Sequence, residues 1–123
     1  MLTRDDPILI VDDDNLVRLG LQMTLEDQGY RHLHTAKTGM AAIDMAVRYR
    51  PKLILMDVRL KGDLDGVEAA QSIRQKYSCQ IIFLTGSNEA ATRLRIEAAA
   101  PDGVLVKPIL PQHLIGALEA LPG

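Results

Sequence analysis

Three consecutive carboxylates, Asp12, Asp13 and Asp14, close the apolar run ILIV at 8–11. Like charges this close repel one another, and burial raises the cost of each unless a positive charge is bound. Three further polar residues follow apolar runs in the same way: Asp57 directly behind LILM, Thr85 directly behind IIFL, and Lys107 directly behind GVLV. If those ends meet, carboxylates, a hydroxyl and an ammonium share one pocket. Carboxylate and carbonyl oxygens are hard ligands suited to Mg2+, an ion that keeps several waters and binds phosphate oxygens. A carboxylate can also be the nucleophile of phosphoryl transfer, forming an aspartyl phosphate. Metal, lysine and hydroxyl would then neutralise and orient the transferring oxygens.

Whether these groups meet depends on the elements that carry them. Five short apolar runs, at 8–11, 32–36, 53–56, 81–84 and 103–106, read as strands. All except HLHTA at 32–36 are too continuous for a strand with one wet face, which predicts cover on both sides. Helical patterns separate them. Over 15–28, Leu16, Leu19 and Met23 form one apolar sector with Val17, Leu21 and Leu25 beside it, and Arg18, Gln22 and Glu26 fall opposite. Gly29 supplies the stop. Over 39–50, Met40, Ile43, Ala46 and Val47 form the expected inner stripe, ended by Pro51. Val67, Ala70, Ile73 and Tyr77 mark the third helix, and Ala91, Leu94 and Ala98 the fourth, closed by Pro101. The last helix, 111–121, starts on a proline, where a missing N–H costs nothing.

Strands alternating with helices predict an α/β fold: one (βα)5 doubly wound domain over 1–123, with a five-stranded parallel sheet in the flavodoxin-like order 2-1-3-4-5. No output domain is expected within that span. In such sheets the site lies beyond the carboxyl ends of the strands, where the strand order reverses. The tips of strands 1, 3, 4 and 5 would therefore gather the acidic cluster, Asp57, Thr85 and Lys107.

The bulk composition narrows the function class. The chain is 47% apolar with a net charge of -2, which provides no basic footprint for direct nucleic-acid binding. No apolar run approaches a membrane span, and MLTRDDP lacks the apolar core of a signal peptide. A single cysteine, Cys79, suits a reducing compartment, so a cytoplasmic location is the expectation.

Five motifs occur in order, four of them at strand ends: VDDD, LILMD ending at Asp57, DG at 65–66, LTG at 84–86 and VKP at 106–108. Over essentially its full length the chain resembles a response-regulator receiver domain of two-component, or phosphorelay, signalling. The resemblance implies that Asp13 ligates Mg2+ directly and that Asp12 does so directly or through water. Asp57 would be phospho-acceptor and metal ligand, and the backbone carbonyl of Arg59 would complete the protein ligands. Thr85 would hydrogen-bond the phosphoryl group, Lys107 would pair with it, and the Lys107–Pro108 peptide would be cis. The donor would be a phosphohistidine on a sensor histidine kinase or histidine phosphotransfer protein, with the chain catalysing only its own phosphorylation and dephosphorylation. The face of helix 4, strand 5 and helix 5 would take a downstream partner or a second protomer, with Arg93 and Arg95 as candidate contacts.

Several positions depart from the common pattern. Val104 stands where an aromatic switch residue is frequent. The loop DVRLKGDLDG is one residue longer, with Lys61 and Gly62 where proline is frequent. Arg59 and Ser87 occupy the positions that tune access of the hydrolytic water. A long Arg59 is expected to crowd that path, which the phosphoryl lifetime of Arg59→Ala would test.

Other residues take plainer readings. Asp14 is expected to cap the first helix. His32 and His34 are expected on an edge-strand surface, His113 as polar surface, and Cys79 as a small half-buried side chain. Two other functions compete. A small Mg2+-dependent phosphohydrolase would use an aspartyl nucleophile in a D-x-D motif, which 12–14 satisfies in spacing, but the residues expected after it and a cap domain are missing. A flavin binder of the same topology needs hydroxyls and N–H groups after strand 1, and three carboxylates there repel phosphate.

Overall fold

The computed structural model describes residues 2–86 and 90–122. The strands are β1 (Ile8–Val11), β2 (Leu33–Ala36), β3 (Leu53–Asp57), β4 (Gln80–Thr85) and β5 (Gly103–Val106). Between and after them run α1 (Asn15–Asp27), α2 (Gly39–Tyr49), α3 (Gly66–Arg74), α4 (Ala90–Ala98) and α5 (Pro111–Glu119). The sheet is parallel throughout in the order β2-β1-β3-β4-β5, as the alternation of patterns predicts.

The alternation of side chains along each strand splits the core into two layers. Leu9, Val11, Ile54, Met56, Ile81 and Phe83 face α2, α3 and α4. Ile8, Ile10, Leu53, Leu55, Ile82 and Leu84 face α1 and α5, meeting Leu21, Leu25 and Leu114. Strands β1 and β3 are buried along their whole length, which is why they read as unbroken apolar runs.

Strand β5 departs from the expectation of cover on both sides. It lies at the sheet edge, and Val104 and Val106 are exposed. Continuity of the apolar run records what the residues tolerate, while edge position is a property of the assembled sheet.

Three helices turn a different face inward than their apolar spacing predicts. In α1 the buried residues are Arg18, Leu21 and Leu25, whereas Leu16 is 80% exposed and Leu19 and Met23 are also exposed. The helix carries two apolar sectors of similar size, so hydrophobicity alone does not choose between them. In α2, Gly39, Ala42 and Ala46 are buried, with Ile43 partly so, and Met40 and Val47 are exposed. Small residues let α2 lie close to its neighbours: a Cβ on Gly39 would sit 2.9 Å from the Leu64 Cβ. In α4, Ile96 is buried, while Leu94 is exposed and so are Ala91 and Ala98. Helix α3 keeps its expected face, with Val67, Ala70 and Ile73 buried; Tyr77 lies beyond its end but still packs on the core and donates to the Pro51 carbonyl at 2.8 Å.

Helix ends follow their local chemistry. Asp14 caps α1 by accepting from the Leu16 and Val17 N–H groups. Gly29, at φ 92°, continues the turn after α1 in a conformation that side chains avoid. Asp65 and Glu68 form a reciprocal capping box at the start of α3. His113 closes the start of α5 by accepting from the Leu110 N–H. His34 stacks on Tyr49 with ring centroids 4.0 Å apart, and His32 lies exposed just before β2. Cys79 is half-buried, and burial pushes its thiol above the ordinary range.

Candidate functional site

The parallel register brings the strand ends level. Asp57 ends β3 opposite Leu84, Thr85 ends β4 opposite Val106, and the Lys107 N–H donates to the Thr85 carbonyl at 2.8 Å. At the other side, the Asp12 N–H donates to the Ala36 carbonyl at 3.2 Å and extends the β1–β2 pairing by one residue. Four strand tips thus deliver the acidic turn, Asp57, Thr85 and Lys107 to one edge of the sheet.

One carboxylate oxygen from each of Asp12, Asp13 and Asp57 lies within 4.8 Å of the others. Asp12 has no exposed surface and Asp57 is 4% exposed, whereas Asp13 is half-buried at the mouth. Lys107 Nζ bridges the two buried carboxylates, 2.8 Å from Asp12 Oδ2 and 3.2 Å from Asp57 Oδ2. The Arg59 N–H donates to Asp57 Oδ1 at 3.3 Å, so the chain folds back over that carboxylate, while the Arg59 side chain is exposed. Thr85 is buried beside this group.

A glycine makes that loop possible. The Gly66 N–H donates to the Val58 carbonyl at 2.8 Å, and a Cβ on Gly66 would lie 1.9 Å from the Asp57 carbonyl oxygen. No side chain fits there, which gives DG at 65–66 its physical reason: Asp65 caps α3 and Gly66 lets the backbone touch the end of β3.

Electrostatics show a site short of positive charge. Burial and then the Asp12 carboxylate push Asp57 up to about 6, against the opposing pull of Lys107 and the Arg59 N–H. Burial works to lower Lys107, but its bonds and attraction to Asp12 and Asp57 outweigh that and hold it above its ordinary value. Asp12 Oδ2 is buried 2.8 Å from the Lys107 ammonium, which it shares with Asp57. Three carboxylates outnumber the single bridging ammonium, and their oxygens are hard donors. The residues present therefore fit a small divalent cation such as Mg2+.

A family model described as the response regulator receiver domain matches residues 8–119. The chain belongs to that family. The receiver is 35% identical over 119 residues to the transcriptional regulatory protein ResD of Bacillus subtilis, covering 97% of this chain and 49% of ResD. It is 33% identical to the transcriptional regulatory protein PdtaR of Mycobacterium tuberculosis, covering 91% of this chain and 54% of PdtaR. The chain thus spans about half the length of the curated relatives it matches. Among solved structures, the receiver domain of a modulated diguanylate cyclase from Desulfovibrio desulfuricans aligns with a TM-score of 0.87 at 34% identity, covering 95% of this chain and 93% of that one. Chemotaxis protein CheY4 of Vibrio cholerae aligns at 0.86 and 28% identity, covering 96% of this chain and 99% of its own. No described helix of the receiver is long and apolar enough to cross a membrane.

Every described residue that the sequence nominates for the site stands at this edge of the receiver, and the Lys107–Pro108 peptide is cis. Ser87 lies outside the described residues. Val104 is on the exposed side of β5. Arg95 has its own partner, Asp65 at 2.6 Å, and Arg93 is exposed on α4. Pattern reading missed Arg18, which donates from Nη1 to the Asp12 carbonyl at 2.6 Å and from Nη2 to Asn15 Oδ1. Its one signal is position, a lone cation four residues after Asp14 and so one turn into the helix that the acidic turn begins.

Proposed function

We propose that this receiver accepts a phosphoryl group on Asp57 from the phosphohistidine of a sensor kinase or phosphotransfer protein, in a Mg2+-dependent reaction. The observation that carries the reading is the trio of Asp12, Asp13 and Asp57 oxygens within 4.8 Å, bridged by Lys107. Asp12, Asp13, Asp57 and the Arg59 carbonyl would hold the ion. Bound Mg2+ would draw charge from the phosphoryl oxygens and orient them.

The chain's own residues supply the rest. An Asp57 oxygen forms the new O–P bond as the N–P bond of the donor breaks and its electron pair returns to the imidazole. Asp57 must be ionised to attack, so its upward shift makes charge compensation by the site a condition of reactivity. Lys107, already beside Asp57 Oδ2, transfers its pairing to a phosphoryl oxygen, and the Thr85 hydroxyl donates to another. Leu16 and Leu110 are exposed on an apolar trough between α1 and the β5–α5 loop that reaches Lys107, and they offer a donor protein a seat next to the acceptor. The output face is α4–β5–α5, where Leu94, Val104 and Val106 are exposed for a downstream protein or a second protomer. Family membership favours this switch over a phosphohydrolase.

Intact mass after incubation with Mg2+ and acetyl phosphate or phosphoramidate tests the reading. One added phosphoryl group is expected, dependent on Mg2+ and absent from Asp57→Asn. Labelling that persists in the variant, or no labelling together with no released phosphate, would overturn it.

A further inference from the structure

Asp12 is held at every polar atom, and one of the holds comes from an element outside the strand tips. Its N–H is taken by Ala36, its Oδ1 accepts from the Asp14 N–H at 2.9 Å, and its Oδ2 faces Lys107 at 2.8 Å. Its carbonyl accepts from Arg18, 9% exposed in the interior face of α1. Among the described residues Arg18 makes no ion pair; its guanidinium bonds are to the Asp12 carbonyl and to the Asn15 side chain. Burying a guanidinium without a carboxylate is costly, and here the cost is offset by fixing a single carbonyl.

That carbonyl belongs to the peptide joining Asp12 to Asp13. Because the peptide is planar, fixing it sets ψ of Asp12 and φ of Asp13 together. We infer that Arg18 is a positioning residue of the cation site: it locks the Asp12–Asp13 peptide plane and so directs the Asp13 carboxylate toward Asp12 and Asp57. This rests on the reading of that trio as a Mg2+ site. Charge and geometry pull in opposite directions. A guanidinium near the site repels an incoming cation, so its charge alone predicts tighter binding when it is removed. The lock predicts weaker binding.

Calorimetric titration of the full chain with Mg2+ separates the two, comparing wild type with Arg18→Met, which keeps the apolar stem without charge or donors. Arg18→Lys keeps the charge without the planar fork. Arg18→Met is expected to weaken Mg2+ binding about tenfold or more, the usual consequence of losing a group that orients a ligand. Arg18→Lys falls between Arg18→Met and wild type. In both variants the 15N amide resonance of Asp13 moves before any metal is added, since its peptide carbonyl has lost or changed its donor. A folded Arg18→Met that binds Mg2+ as tightly as wild type, or tighter, overturns the inference. If Arg18→Met does not fold, Arg18→Lys and Asn15→Ala carry the test, and unaltered affinity with an unmoved Asp13 amide in both overturns it. Wild type that binds no Mg2+ overturns the metal reading and the inference with it, so the two failures are distinct.

Discussion

Phe83 and Val104 are partners across adjacent strands, yet Phe83 has no exposed surface and Val104 is 44% exposed. Phe83 is roofed by the α3 side of the core, with Val67, Ile73, Ile96 and Ala99 in the same cluster. Over β5 the cover thins, because α4 contributes only Ile96 to the buried core among its residues Ala90–Ala98. Three side-chain bonds tie the α4 end of the molecule back to its neighbours: Arg95 to Asp65, and Arg74 Nη1 to the Ala99 and Ala100 carbonyls, each at 2.5 Å. The candidate site straddles this divide. Asp12 follows closely packed β1 and Asp57 ends β3, while Lys107 follows the lightly covered strand. Local opening draws on the least buried elements, so the β5 side is expected to open more readily than β3 and β4.

The sharpest way to break the comparison is to truncate both partners. Phe83→Ala is expected to lose about 3–5 kcal/mol of stability and Val104→Ala no more than about 0.5 kcal/mol, read from urea midpoints at unchanged slope. Similar losses at the two positions would mean that β5 is covered as well as β4.

A smaller effect tests the site on the packed side. Asp57 has its folded pKa raised to about 6 from 3.8, so its contribution to stability is full below about pH 3.8 and is lost as pH rises through 6. In metal-free solution Asp57→Asn removes that loss. The variant is expected to exceed wild type by on the order of 1–2 kcal/mol at pH 7.5, with the gap shrinking as pH falls through 6 toward 4. A gap that stays constant from pH 4 to 8 would show that Asp57 ionises as freely as an exposed carboxylate.

The smallest change should fall on the lightly covered side. Arg95→Ala removes a partly exposed ion pair and is expected to cost under about 1 kcal/mol globally. Amide exchange should nevertheless quicken in α4 while β3 and β4 keep their protection. Equal acceleration in β3 would mean the two regions open as one unit.

Much of this was legible in the residues. Continuous apolar runs marked the strands because a parallel sheet buries both faces, and Asp12, Asp57, Thr85 and Lys107 each directly follow such a run. Asp14 was legible as a cap because capping is local. The α1 sectors were not separable, because Leu16, Leu19 and Met23 recur at the same helical spacing as Leu21 and Leu25. Arg18 stayed hidden for the same reason: a charged residue opposite an apolar sector reads as solvated until its one-turn reach to Asp12 is known. Val104 and Phe83 lie in equally apolar runs, and nothing in either run tells which strand will be the edge.

The sequence by itself determined the kinds and order of elements, the strand ends that carry Asp12, Asp13, Asp57, Thr85 and Lys107, and through those motifs the family. These follow from short-range chemistry, namely periodicity, caps and the residue next after each strand. Tertiary structure alone decided which faces α1, α2 and α4 bury, which strand is left at the edge, and that Arg18 turns inward to the Asp12 carbonyl. Those outcomes depend on how one element lands on another, and a periodic pattern fixes spacing along a helix without fixing the rotation at which it docks.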